Sequence, residues 1–230
     1  EILRTERLDS REEAEALLAQ LQSGATYTVT LDQSSEIQLA DNLTDTFQPA
    51  AGGTFTDVPA THWAAGAVEF VTSQGLLQGT GTSTFAPGQP MTRAMLVTAL
   101  WREAGSPVVN YAMDFDDVDE DQWYTEAVRW AVSKGIVAGT GKGFSPDAAL
   151  TRESLAAILF RYAGGQADAD QLDSYADGAG VSAWAREAMN WAVAQGLITG
   201  KSGGRLDPGG TASRAEVSAI LMRYVQSAQA

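Results

Sequence analysis

Three arginines, Arg93, Arg152 and Arg214, each follow a small hydroxyl residue, Thr92, Thr151 or Ser213, and each precede an apolar run at helical spacing. The hydroxyl suits a helix N-cap, where its oxygen accepts from an orphan backbone N–H, so each arginine falls on a first helical turn. A helix N-terminus carries a partial positive charge of about half a unit, and a guanidinium there costs the isolated helix about a few tenths of a kcal/mol. A cation set against the dipole three times over calls for an anion. Guanidinium and helix N–H groups together gather donors and positive potential at one spot, the chemistry that receives a carboxylate through parallel hydrogen bonds. The competing reading is an ion pair with acids elsewhere in the chain, which has 29 Asp and Glu against 15 Lys and Arg.

The elements that must position these arginines recur with them. From Trp63, Trp123 and Trp184 the chain runs to Phe70, Trp130 and Trp191, then Gly75, Gly135 and Gly196, then Gly79, Gly139 and Gly200, at identical offsets. Phe85, Phe144 and Leu206 follow, with Pro87, Pro146 and Pro208 two residues on, then the hydroxyl and arginine, and finally a second arginine at Arg102, Arg161 or Arg223. Three copies of about 60 residues lie behind a stretch that does not repeat.

Each copy reads as two helices joined by a glycine-rich loop. Thr61, Asp121 and Ser182 suit N-caps for the first helix, and the glycine twelve residues after each tryptophan suits a left-handed C-cap. The sevenfold aromatic spacing, as in Trp123 and Trp130, predicts core rather than sugar-stacking tryptophans. Leu96, Leu100, Leu155, Leu159, Val217 and Leu221 form the stripe of the second helices, and only Ser213 with Glu216 completes a capping box, because Met95 and Ser154 replace the acid elsewhere. Gly79, Gly139 and Gly200 could admit a sugar to the backbone or serve turn geometry alone, and Lys142 and Lys201 would add positive potential to the loops.

Composition narrows the function. A net charge of -14 repels a phosphate backbone and argues against nucleic acid as partner. No stretch reaches the roughly 20 apolar residues of a membrane span, so no membrane insertion is expected. Without cysteine there are no disulfides or thiolate metal sites. The single histidine, His62, is matched by Gln122 and Ala183 in the other copies, which leaves nucleophile-and-base catalysis without support and favours a surface position beside the helix cap. "DFDDVDEDQW" at 114–123 invites a calcium loop but lacks the central glycine and distal glutamate, and a solvated loop is favoured. No acid pair stands out for glycoside hydrolysis. Neither cofactor nor metal is expected.

"FTDV", "W", "GLLQG", "FAP" and "TRAM" in the first copy, "FDDV", "W", "GIVAG", "FSP" and "TRES" in the second, and "YADG", "W", "GLITG", "LDP" and "SRAE" in the third resemble the S-layer homology domain over residues 54 to 226. The third copy departs from the aspartate-valine opening. The resemblance implies a mainly α fold, three helix-loop-helix repeats forming a pseudo-threefold bundle, with repeats at 54–107, 113–166 and 172–226. It implies a non-enzymatic, extracellular module that anchors proteins to the bacterial cell wall or S-layer by holding an anionic, typically pyruvylated, secondary cell-wall polysaccharide in grooves between repeats, with the T-R-A-E arginine as binding residue. The glycan-binding residues expected are then Arg93, Arg152, Arg214, Thr92, Thr151, Ser213, Gly79, Gly139, Gly200, Lys142 and Lys201. A scaffold for S-layer or other surface proteins, its grooves degenerate, is the alternative.

Residues 1–53 form a small α+β segment by pattern: a capping box of Ser10 and Glu13 opens a helix, "TYTVTL" and "EIQLA" suggest a hairpin, and 42–53 reads as a linker. This segment is either the tail of an upstream domain, which could be catalytic, or a piece docked on the repeats.

Overall fold

The computed structural model describes residues 55–139, 143–166 and 170–228; the helix and hairpin expected in residues 1–53, and Lys142, lie outside them. Among the described residues there are six α-helices: α1 (Ala65–Ser73), α2 (Arg93–Glu103), α3 (Thr125–Ser133), α4 (Arg152–Ala163), α5 (Arg186–Ala194) and α6 (Arg214–Ala228). The fold is mainly α.

Local chemistry accounts for the helix ends. Gly75, Gly135 and Gly196 take φ of 68°, 69° and 67° just past α1, α3 and α5, and the next residue's N–H returns to a carbonyl of the last turn, as from Leu76 to Val71. At α2, α4 and α6 the hydroxyl oxygens of Thr92, Thr151 and Ser213 accept from Met95, Ser154 and Glu216 N–H, and Glu216 accepts in return from Ser213 N–H.

Each second helix packs on the first helix of the next repeat, α2 on α3, α4 on α5 and α6 on α1, so the three repeats close into a ring with pseudo-threefold symmetry. Leu96, Leu100, Leu155, Leu159, Val217 and Leu221 are buried in it. Each such side chain contributes about 1.5–3 kcal/mol by leaving water. At the centre, three backbone hydrogen bonds of 2.9 Å form a triangle, Met91 N–H to Ala212, Ala212 N–H to Leu150 and Leu150 N–H to Met91.

The expected caps at Thr61, Asp121 and Ser182 do not cap. The first helices begin four residues after them, and their cap positions, Ala64, Tyr124 and Ala185, offer no side-chain hydrogen bond. A tight turn intervenes, closed by Ala65 N–H to His62, Thr125 N–H to Gln122 and Ala185 N–H to Ser182 carbonyls. Trp63, Trp123 and Trp184 therefore stand outside the α-helices and are 66%, 53% and 59% exposed, whereas Trp130 and Trp191 are buried. The core expectation holds for one aromatic position and fails for the other.

Candidate functional site

Each arginine reaches across to the neighbouring repeat. Arg93 donates from Nε to Phe144 O (2.9 Å) and from Nη2 to Ala138 O (3.0 Å). Arg152 does the same to Leu206 O (2.7 Å) and Thr199 O (3.0 Å), and Arg214 to Phe85 O (2.9 Å) and Gln78 O (2.6 Å). Arg93 and Arg214 lie over the Phe144 and Phe85 rings at 4.7 and 4.4 Å, a cation–π contact. In the third interface the ring is replaced by Leu206, and Arg152 pairs instead with Glu216, Nη1 to Oε1 at 3.5 Å.

The helix N-termini are likewise engaged. The first two N–H groups of α2 donate to Ala148 and Pro146, those of α4 to Gly210 and Pro208, and those of α6 to Gln89 and Pro87. With the third N–H held by the cap hydroxyl, the donors expected to meet a ligand are already bonded within the ring. This corrects the helix-terminus part of the sequence argument: guanidinium and helix N–H groups first serve the closure, and Arg152 and Arg214 are buried.

The acceptor loops are held by an aspartate that the spacing of arginines did not single out. Asp57 accepts from Phe85 and Ala86 N–H, Asp117 from Phe144 and Ser145 N–H, and Asp177 from Leu206 and Asp207 N–H, at 2.7–2.9 Å by each pair's shorter bond. Two successive N–H groups can converge on one carboxylate because the second residue is left-handed, with φ of 57°, 59° and 54° at Ala86, Ser145 and Asp207. Partial burial pushes these carboxyls up, but the backbone donors and a facing arginine outweigh it and hold all three below the usual aspartate range. Asp177 keeps its role although the following valine has become Gly178.

The loop glycines have a packing reason. A Cβ on Gly79, Gly139 or Gly200 would stand 2.7, 2.6 or 2.9 Å from the ring of Phe55, Phe115 or Tyr175. That aromatic opens the repeat and packs against the loop, so its ring carbons occupy the space a side chain on each glycine would need.

One open groove brings several expected residues together. About 180 Å³ in volume, it is lined by Trp63 from the first repeat, Arg152 from the second, and Thr199, Gly200, Lys201, Glu216, Ile220 and Arg223 among others from the third. Lys201 Nζ contacts Asp207 (2.9 Å) and Glu216 (3.2 Å), and Arg223 donates to Leu197 O. Burial alone would lower the Lys201 pKa, but its two carboxylate partners raise it above the ordinary value. Trp63, Arg223 and Glu216 were not among the expected site residues; the threefold recurrence of the tryptophan and second arginine was the available signal. Thr92, Thr151 and Ser213 act as caps, and among the described residues no His, Cys, Asp and Glu group could hold a metal ion.

The sequence matches the S-layer homology domain family at residues 54–94, 114–156 and 174–218. It is 29% identical over 182 residues to S-layer protein sap of Bacillus anthracis, covering 76% of this chain and 21% of that protein. It is 28% identical over 172 residues, 73% of this chain, to an amylopullulanase of Thermoanaerobacterium thermosulfurigenes and to exoglucanase XynX of Acetivibrio thermocellus, covering 9% and 16% of them. The chain thus spans about a fifth of its S-layer relative. The matched repeats are a non-catalytic anchoring module, and the chain is placed at the cell surface or S-layer. No described helix is long and apolar enough to cross a membrane.

Proposed function

Because the chain belongs to the S-layer homology domain family, we propose that its repeats fasten the polypeptide to a bacterial envelope by gripping an anionic, pyruvylated secondary cell-wall polysaccharide between repeats. The observation that carries this reading is the groove beside Trp63, where Glu216 already lies across Arg152 and Lys201. A groove that holds a carboxylate between two cations next to an exposed indole suits a sugar ring bearing an acid: the ring's C–H face meets the indole and the carboxylate meets the cations.

The test uses purified cell-wall material in a co-sedimentation assay. Wild-type chain is expected to sediment with pyruvylated wall and to lose at least about tenfold in affinity once the ketal is removed by mild acid, with weaker binding at high salt. A Trp63→Ala, Trp123→Ala, Trp184→Ala variant changes only exposed side chains and is expected to bind weakly with its fold intact. Equal binding to both wall preparations would reject the proposal.

The scaffold reading gains from one observation, the engagement of all three arginines in ring closure. Self-association in sedimentation velocity without any wall binding would select it.

A further inference from the structure

The segments that lead into the second and third repeats are held in different ways. Ahead of the third repeat, Asn190 Oδ1 accepts from Gln171 N–H at 2.8 Å, Asp170 accepts from Leu172 N–H and Arg186 Nη2 at 3.1 and 3.0 Å, and the Leu172 side chain is buried. Ahead of the second repeat, none of the backbone N–H groups of residues 108–114 has a hydrogen-bond partner among the described residues. The polar tie at the start of that stretch is Trp101 Nε1 to Pro107 O at 3.0 Å. The difference has a chemical cause: Arg129 stands at the position of Asn190, six residues past the repeat's tryptophan, and a guanidinium has no acceptor to offer a backbone N–H.

Residues 107–114 carry neither turn nor helix. Val109 and Met113 rest against the core, whereas Val108, Asn110, Tyr111, Ala112 and Asp114 are exposed, Val108 at 84% and Tyr111 at 41%. An endopeptidase holds its substrate as an extended strand, through backbone N–H and C=O groups that must be free to pair with it. The exposed tryptophans fail that requirement, because Trp63, Trp123 and Trp184 sit in tight turns closed by the backbone bonds from Ala65 to His62, Thr125 to Gln122 and Ala185 to Ser182. Tyr111 combines an accessible aromatic side chain with unpaired N–H groups on either side of it.

We propose that residues 108–114 are a processing site for an endopeptidase that cuts after an aromatic residue, at the Tyr111 to Ala112 bond, and that the ring holds the two pieces together afterwards. Water gives its hydroxyl to the Tyr111 carbonyl carbon and a proton to the Ala112 nitrogen as the C–N bond breaks, and the new acid's proton passes to the amine. Residues 1–111 keep α1 and α2, and residues 112–230 keep α3 to α6. The first piece stays gripped from both sides, by α2 on α3 and α1 on α6, by Arg93 to Phe144 and Ala138, by Arg214 to Phe85 and Gln78, and by the central triangle. None of these contacts uses the cut segment. Scission thus turns a covalent link between repeats into one that parts only when two interfaces open together.

Limited digestion of the full chain with chymotrypsin tests this, read by mass spectrometry and by gel filtration of the native digest. Within the three repeats the first cut is expected to create a new N-terminus at Ala112, with both pieces eluting together at the volume of the intact chain and separating only in denaturant. Unfolding of the cut protein releases two chains, so its urea midpoint is expected to rise with protein concentration while that of the intact chain does not. Ala112→Pro removes no hydrogen bond, since the Ala112 N–H makes none, and is expected to keep the wild-type urea midpoint while slowing this cut at least about tenfold. A first cut elsewhere in the repeats, an unchanged cutting rate in Ala112→Pro, or pieces that part in native buffer would each overturn the proposal.

Discussion

At the scale of single residues, the arginine and the aspartate of this repeat form one device seen from two sides. The aspartate takes the two N–H groups of the loop, and the arginine from the neighbouring repeat takes the carbonyl of the same residue, Phe85, Phe144 or Leu206. Removing either leaves buried peptide groups without partners, at about 1–3 kcal/mol each. The aspartates also make stability depend on pH. Their folded pKa lies below the unfolded value of about 3.9, so their contribution is whole above that value and is lost as pH falls through the folded pKa. The thermal midpoint is therefore expected to stay level from about pH 7 to about pH 5 and to fall below about pH 4. Asp57→Asn should start lower and lose less on acidification, and a wild-type slope in that variant would remove Asp57 from the account.

At the scale of elements, the third repeat shows how one backbone feature is kept while its surroundings change. Val58 and Val118 follow the clip aspartate in the first two repeats and are buried, whereas Gly178 stands there in the third. The third repeat enters through short 3₁₀ turns, Leu172–Ser174 and Gly178–Gly180, and a Cβ on Gly178 would run into the Leu172 carbonyl. Gly178→Val, which restores the other repeats' residue, is expected to lower stability by about 2–3 kcal/mol in urea unfolding; a midpoint equal to wild type would refute that packing argument. The same contrast shows what was legible in the sequence. Repeat offsets, C-terminal glycines and the leucine stripe of α2, α4 and α6 are local and were readable. The turn that delays α1, α3 and α5 was not, because Thr61, Asp121 and Ser182 have cap-forming side chains and only the tertiary position of the next few residues shows that they head a turn. The arginines' partners were hidden for another reason: they are backbone carbonyls, which every residue carries and no spacing betrays.

At the scale of the whole molecule, the ring determines how stability is shared. An open array of repeats frays from its ends, since a terminal repeat has one neighbour. Here α6 packs on α1, Arg214 donates to Phe85 and Gln78, and Met91 N–H meets Ala212, so the third repeat supports the first through the same parts that join the first to the second. No repeat is terminal, and no interface can open without orphaning the central triangle of backbone bonds. Unfolding is therefore expected to be one transition: followed by amide exchange in urea, α1, α3 and α5 should lose protection together. Arg214→Ala removes two charge-assisted bonds and the cation–π contact over Phe85, at a cost of about 2–4 kcal/mol, and the three helices should still open together at lower urea. If instead α5 and α6 were released first while α1 to α4 stayed protected, the closing interface would be an accessory contact and the molecule would behave as a linear array.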